Sequence, residues 1–349
     1  MGTVLKNSWP LFLGMMLLML GNGLQGTLLG IRGALEGFSP NTMAWIMSGY
    51  FIGFLGGSRM APEMIRRVGH VRVFAALASL ISACLILYAA VPNVIVWMFL
   101  RILIGFCFSG VYVVAESWLN DSATNETRGQ TLSLYLIVQM IGIVAAQGVL
   151  NFGDAGGYTL FIISSVLVSV SFAPILLSIS PAPMFQTTKP MSFKRLFAAS
   201  PLAVVGTFLL GSIFSALFGM SAVYGTEKGL DVRTITIFVA MIYVGGMLLQ
   251  YPIGWASDRM GRRLLIIYLT ILGAIIMALA PLATDNLYAL MALMFIVAKS
   301  FSICSVTFIL PISEVIFDPI FPAIIKAIMV DENSSNNVSL VPKPIKVEG

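Results

Sequence analysis

The sequence predicts an all-α membrane protein, a bundle of helices that crosses the bilayer many times. Three observations predict it. Of 349 residues, 58% are hydrophobic and only 10% charged, and the mean hydropathy is +0.95. A soluble domain carries roughly 25% charged residues, so these charges are too few to cover a water-facing surface. Apolar runs of the length a spanning helix needs, about 20 residues, recur along the chain. Lys and Arg gather in alternate connections, as cytoplasmic loops do.

Ten runs qualify. The first, Trp9–Leu29, is too long for a signal-peptide core and lacks a small-residue cleavage site. Thr42–Gly57, Val71–Ala90, Val94–Val114, Gln130–Leu150 and Tyr158–Ile179 follow, each bounded by polar or Pro/Gly breaks. Pro201–Val223, Ile235–Ala256, Leu264–Leu282 and Leu287–Leu310 complete the set. These runs are too long for barrel strands and do not alternate apolar with polar residues.

The connections differ in character. Those near Val91–Pro92 and Ala283–Asp285 are very short, whereas Ser58–His70, Ser180–Ser200 and Ser257–Arg263 are longer or basic. Ser180–Ser200 holds Pro181, Pro183, Pro190, Lys189, Lys194 and Arg195 and reads as a linker. The expected organisation is a six-helix N-terminal half over 1–180, a cytoplasmic linker at 181–200, an incomplete C-terminal half over 201–311 and an atypical, disordered tail at 312–349. With a cytoplasmic N-terminus, twelve Lys and Arg fall inside and three (Arg32, Lys228, Arg233) outside. The positive-inside rule selects that orientation, in a bacterial inner membrane.

The formal charge of +5 then reflects inner loops and implies no nucleic-acid partner. Cys84, Cys107 and Cys304 lie in apolar runs and suggest neither disulfides nor a metal site. His70, the only histidine, reads as a solvated loop residue. Without paired histidines or a membrane carboxylate pair, metal or His-based chemistry has no basis. The expectation is a monomer, not an enzyme, with no cofactor and with the lipid bilayer and a small solute as its partners.

The most specific segment follows the eighth run: Gly254, Asp258, Arg259, Gly261, Arg262 and Arg263 in the spacing G-x-x-x-D-R-x-G-R-R. Two glycines permit a tight turn, Asp258 can face a neighbouring helix N-terminus, and the arginines anchor the loop at anionic headgroups. The segment resembles the cytoplasmic loop signature of the major facilitator superfamily. In that family the loop recurs after the second helix. Here Arg67 and Gly69 keep that pattern, while Arg66 stands at the acid position and Pro62 at the first glycine. The resemblance implies two six-helix repeats that gate a central site by alternating access. It further implies a proton-coupled secondary transporter of the bacterial drug- and sugar-like branch.

Arg101-x-x-x-Gly105 in the fourth run resembles a second signature of that family. A charge buried at that depth must face the bundle interior or water; anion binding, modulation of a proton site and a purely structural role held by backbone carbonyls all stay open. Glu116, further along the same helix, is a candidate for ion coupling or a partner of loop arginines. Asn22, Gln25, Tyr135, Gln139, Gln147, Tyr243 and Gln250, polar residues within apolar runs, are candidates for a solute cavity or for interhelical hydrogen bonds. About ten spanning helices are recognisable where the family resemblance implies twelve. The resemblance fades after Met294, so a shortened product, a non-transporting remnant or a partner subunit is the alternative expectation.

Overall fold

The computed structural model describes residues 2–123, 128–177, 201–249, 262–283 and 288–296, with single positions at 194, 197, 198 and 286. Helices run as α1 (Gly2–Leu35), α2 (Pro40–Val68), α3 (His70–Ala90), α4 (Val94–Ser122), α5 (Arg128–Val149) and α6 (Thr159–Ser171). They continue as α7 (Pro201–Glu227), α8 (Val232–Leu248) and α9 (Arg262–Leu279). Residues 288–296 are helical as well, so helix lies at each of the ten expected places. No strand occurs among the described residues. Most of the 181–200 linker and all of 312–349 lie outside them.

Several helices outrun their apolar cores. The expected link Ser58–His70 is helical through Val68, and Gly69 alone makes the turn into α3. Its φ of 84° lies in the left-handed region that a side chain disfavours. Ser39 caps the start of α2 by accepting from Thr42 N at 3.2 Å, and Asn93 caps α4 by accepting from Ile95 N at 2.9 Å. α6 is shorter than its run. It stops at Ser171, and a separate helical turn, Ala173–Leu176, begins around Pro174, whose ring nitrogen cannot donate to the preceding ladder.

Helix pairing follows small residues. α2 packs along α4, and Gly49, Gly53 and Gly57 recur every fourth residue on the α2 face that meets Met98, Ile102 and Phe106. A Cβ at Gly53 or Gly57 would run into the carbonyl oxygen of Ile102 or Phe106. In a bilayer, where lipid tails are as apolar as leucine, such close approach holds helices together. α1 packs on α5 and α6, and α3 on α4 and α6. Ser82 of α3 reaches Ser165 and Ser169 of α6 at 2.7 and 2.8 Å.

Trp97, Tyr88, Phe74, Phe108 and Phe161 are fully buried, whereas Ile95, Leu55 and Phe208 are 79%, 73% and 73% exposed. Large apolar side chains at that exposure fit lipid, not water. Among the described residues, α1, α3, α4, α5, α6 with its following turn, and α7 are long and apolar enough to cross a membrane. The protein is a multi-pass membrane protein.

α7 and α8 meet the earlier helices at one end, here called the Leu35 end. A Cβ at Gly30 of α1 would lie 2.8 Å from Ala222 Cβ of α7. Asn151, just beyond α5, donates to Thr236 Oγ1 of α8 at 3.1 Å. Arg32 pairs with Glu36 at 2.5 Å and donates to Gly156 O in the α5–α6 connection, fixing the tip of α1.

Candidate functional site

The middle of the bundle carries a cluster of polar and aromatic side chains. Arg101 is the sole buried Arg or Lys among the described residues, 8% exposed. Its guanidinium carbon lies 4.9 Å from the centre of the Tyr50 ring on α2, a cation–π distance. Gly105, one turn further along α4, packs against the backbone oxygen of the same Tyr50. The spacing R-x-x-x-G thus puts a charge on the tyrosine ring and a bare backbone on its main chain.

Around this pair sit further polar atoms. Tyr88 of α3 is fully buried, beside Gln25 and within the field of Arg101, yet its hydroxyl does not meet hydrogen-bond geometry with any group. Gln25 of α1 is 1% exposed, and its amide faces the Tyr88 hydroxyl and meets no other group. Tyr243 of α8 lies within the same field and packs its ring 4.7 Å from Phe218 of α7. Tyr50, Phe54, Phe108 and Tyr112 form a contiguous aromatic wall, with successive ring centres 5.9 to 6.4 Å apart. Tyr50, Tyr112 and Tyr243 are each half-buried and neighbour one another, so side chains of α2, α4 and α8 meet here.

Towards the end opposite Leu35, Glu116 is accessible by surface area although protein surrounds it, and Tyr112 and Tyr135 are its electrostatic neighbours. It therefore faces the bundle interior. Among the described side chains it forms no ion pair with a loop arginine. Glu63 takes that role, at 2.6 Å from both Arg66 and Arg67. Their hydrogen bonds, Arg66's first, hold its carboxyl down to about 2.

Tyr135 and Gln139 lie one turn apart on the buried face of α5, with the Tyr135 hydroxyl facing the Gln139 amide. Asn22 is half-buried on α1. Gln147 is not a cavity residue: it accepts from Thr27 Oγ1 at 3.0 Å and donates to Gly23 O at 3.3 Å, tying α5 to α1. Gln250, Gly254, Asp258, Arg259 and Gly261 lie outside the described residues; Arg262 and Arg263 open α9.

His70 corrects an expectation. It is the first residue of α3, 1% exposed, with Nε2 3.0 Å from Ser117 Oγ and its ring 6.0 Å from that of Trp118. Ser117 donates to Val114 O at 3.1 Å, which leaves its oxygen to accept from His70. The single-residue turn at Gly69 presses the α3 terminus onto α4 and closes water out. Tyr50 and Tyr88 were not singled out from sequence, although they stand in apolar runs as Tyr135 and Tyr243 do. Their signal is positional, since Tyr50 sits beside the Gly49/Gly53/Gly57 stripe that forces α2 against α4.

An open groove at the Leu35 end is lined by Leu150, Asn151, Gly153, Asp231, Val232 and Arg233. It holds none of the expected cavity residues, and the central cluster remains the candidate site.

A family model for the major facilitator superfamily matches residues 11–319. The chain belongs to the major facilitator superfamily. The match runs past Met294, where the resemblance was expected to fade. MFS-type transporters named YcaD, of uncharacterised activity, are similar. The protein from Escherichia fergusonii is 27% identical over 279 residues, covering 77% of this chain and 72% of that one. The protein from Salmonella arizonae is 25% identical over 282 residues, covering 78% and 73%. Among solved structures, a bacterial homologue of the lysosomal transporter Spinster, inward-facing and unoccupied, superposes with TM-score 0.72 at 14% identity, covering 94% of this chain and 78% of that one. The nucleoside transporter NupG gives 0.68 at 13%, over 94% and 83%; the D-xylose-proton symporter gives 0.65 at 15%, over 85% and 79%. At such identities the likeness concerns the fold. Membership places the chain among membrane transporters.

Proposed function

We propose that the chain is a secondary active transporter that moves a small solute across the bacterial inner membrane by alternating access, with protons as the coupling ion. The observation that carries this reading is the position of the central cluster. Arg101, Gln25, Tyr50 and Tyr88 lie on α1 to α4 and Tyr243 on α8, and the named contacts that join α7 and α8 to the earlier helices cluster at the Leu35 end. An interior site between two bundles that close at one end is the arrangement alternating access requires.

In this reading residues 1–180 form one six-helix half and 201–311 belong to the second, joined by the 181–200 linker. The N-terminus and the Arg66–Arg67 turn face the cytoplasm, so the structure is an inward-facing state with its outer end shut. Asp258, Arg259 and the following glycine and arginines form the gating turn on the inner side, with Arg67 and Gly69 as its counterpart after α2. Glu116 faces the interior and is the proton carrier. The printed names of the structural neighbours, among them a proton symporter and a nucleoside transporter, lend support to coupled uptake of a polar solute.

The test is flux in proteoliposomes. Accumulation of a solute from a panel of organic acids, sugars and nucleosides, abolished by a protonophore and by Glu116→Gln, is the expected result. Flux that a protonophore leaves unchanged contradicts the proton coupling; absence of any flux across the panel contradicts the transporter reading.

A further inference from the structure

We propose that Arg101, Gln25 and Tyr88, with Tyr50 as an aromatic platform, bind the carboxylate of an amphipathic organic monoanion. The proposal rests on the transporter reading in taking that anion to be the transported solute.

The argument starts from charge. A guanidinium keeps its proton in any protein setting, so Arg101 is a permanent cation inside a membrane-spanning helix. Such a charge is retained only against an anion, a ring of polar groups or water. Here the Nε has no hydrogen-bond partner, and none of the carboxylates among the described residues pairs with the side chain. The Tyr50 ring offsets part of the cost from one face only. The structural alternative, an arginine held by backbone carbonyls, is therefore not what its Nε shows.

The unmet atoms are not scattered. The Gln25 amide, the Tyr88 hydroxyl and the Arg101 Nε come from three helices and are all buried; the Tyr88 hydroxyl faces the Gln25 amide without good hydrogen-bond geometry, lies within the field of Arg101, and the Arg101 Nε meets no group. Between them they offer N–H and O–H donors to a planar, two-oxygen acceptor, the geometry a carboxylate presents to an arginine fork. Buried polar groups otherwise find well-formed partners in folded proteins, so the bare Arg101 Nε beside a poorly satisfied Gln25–Tyr88 pair marks a ligand's position.

Charge count narrows the class. Arg101 is the sole buried Arg or Lys among the described residues, and one guanidinium balances one negative charge. A phosphate dianion would lack a second cation. The remainder of the solute meets Tyr50, Phe54, Phe108, Tyr112, Phe218 and Tyr243, rings that stack on an apolar or aromatic body.

The test uses the full chain in phosphatidylcholine nanodiscs and three matched pairs of probes: phenylacetate, 4-phenylbutyrate and octanoate, each against its neutral amide, with inorganic phosphate as a competitor. For at least one pair the carboxylate is expected to bind tenfold or more tightly than the amide, undisturbed by phosphate. Arg101→Gln removes that difference. Arg101→Lys keeps the charge but loses the fork, and lowers carboxylate affinity three- to tenfold while leaving the amide unchanged; this variant decides if Arg101→Gln does not fold. Equal affinity for acid and amide in all three pairs, or a preference that survives in Arg101→Gln, overturns the proposal. Displacement by phosphate overturns the monoanion assignment. Flux measured in parallel separates the two readings: acid-selective binding without flux refutes transport and spares the site, whereas flux of a neutral solute indifferent to Arg101→Gln refutes the site and spares transport.

Discussion

A buried arginine was legible in the sequence because nothing else in its run carries charge, whereas the atoms around it were not. Gln25 and Tyr243 stood out as polar residues in apolar segments, but their proximity to Arg101 depends on how three non-adjacent helices pack, and no local pattern encodes that. Tyr88 and Tyr50 were invisible for the same reason. His70 was misread because helix ends in membrane proteins run past the apolar core; with Gly69 as the whole turn, the histidine sits under α4 instead of in water. Truncating it, His70→Ala, removes the contacts with Ser117 and Trp118 and is expected to cost about 1 kcal/mol, read as a lower unfolding midpoint in detergent. An unchanged midpoint would return His70 to the role of a solvated residue.

Glu63 supplies a pH prediction at the same scale. Arg66 and Arg67 hold its carboxyl down to about 2, below an unfolded glutamate near ~4.3. A depressed folded value contributes stability that is fully present above the unfolded value and is lost as pH falls from about 4.3 towards about 2. The pair is exposed, so its contribution is screened by salt. Glu63→Gln is expected to lower stability slightly and by a constant amount between pH 8 and 6, and that deficit is expected to narrow between pH 5 and 3 as the native protein loses the same contribution. A deficit that persists undiminished at pH 3 would show that the residue acts through something other than this titration.

At the scale of elements, each apolar run is helical over its described residues apart from short turns, because backbone groups in lipid have few other ways to be satisfied. The ends were less legible: the polar stretch 58–68 continues α2 beyond its apolar core, the helix runs on through Pro62 although that residue donates no hydrogen bond, and it ends only at Gly69. The tightness of the α2–α4 pair, carried by glycines at 49, 53 and 57, was not read from the sequence. Its consequence needs the partner backbone, since Gly53 and Gly105 each face a carbonyl of the other helix. Gly53→Leu is expected to push the helices apart at a cost on the order of 3 kcal/mol, seen as loss of a monodisperse, thermally cooperative protein. Glycine 246, which has open space, is the control: Gly246→Ala should leave the midpoint within about 1 kcal/mol of the native protein. Equal effects at both would mean that the close approach is not what holds α2 to α4. Polar bonds between helices matter less; Gln147→Leu, which frees Thr27 and Gly23 O, is expected to cost about 0.6 kcal/mol.

For the whole molecule, the family was legible from one loop, Gly254 to Arg263, and the match across residues 11–319 bears out that membership. The conformation was not legible, because a transporter sequence encodes two packings and says nothing of which is populated. The structure has its halves in contact at the Leu35 end, through Gly30 against Ala222 and Asn151 against Thr236. If the molecule works by alternating access, those contacts must part once in each cycle.

The direct test is therefore a reversible lock at that end: Asn151→Cys with Thr236→Cys, in a chain whose own three cysteines are replaced by alanine, reconstituted for solute flux. Flux that stops on oxidation and returns on reduction, with either single cysteine variant indifferent to both treatments, is the predicted result. Flux that continues at the native rate through an oxidised, cross-linked protein would contradict alternating access in this molecule.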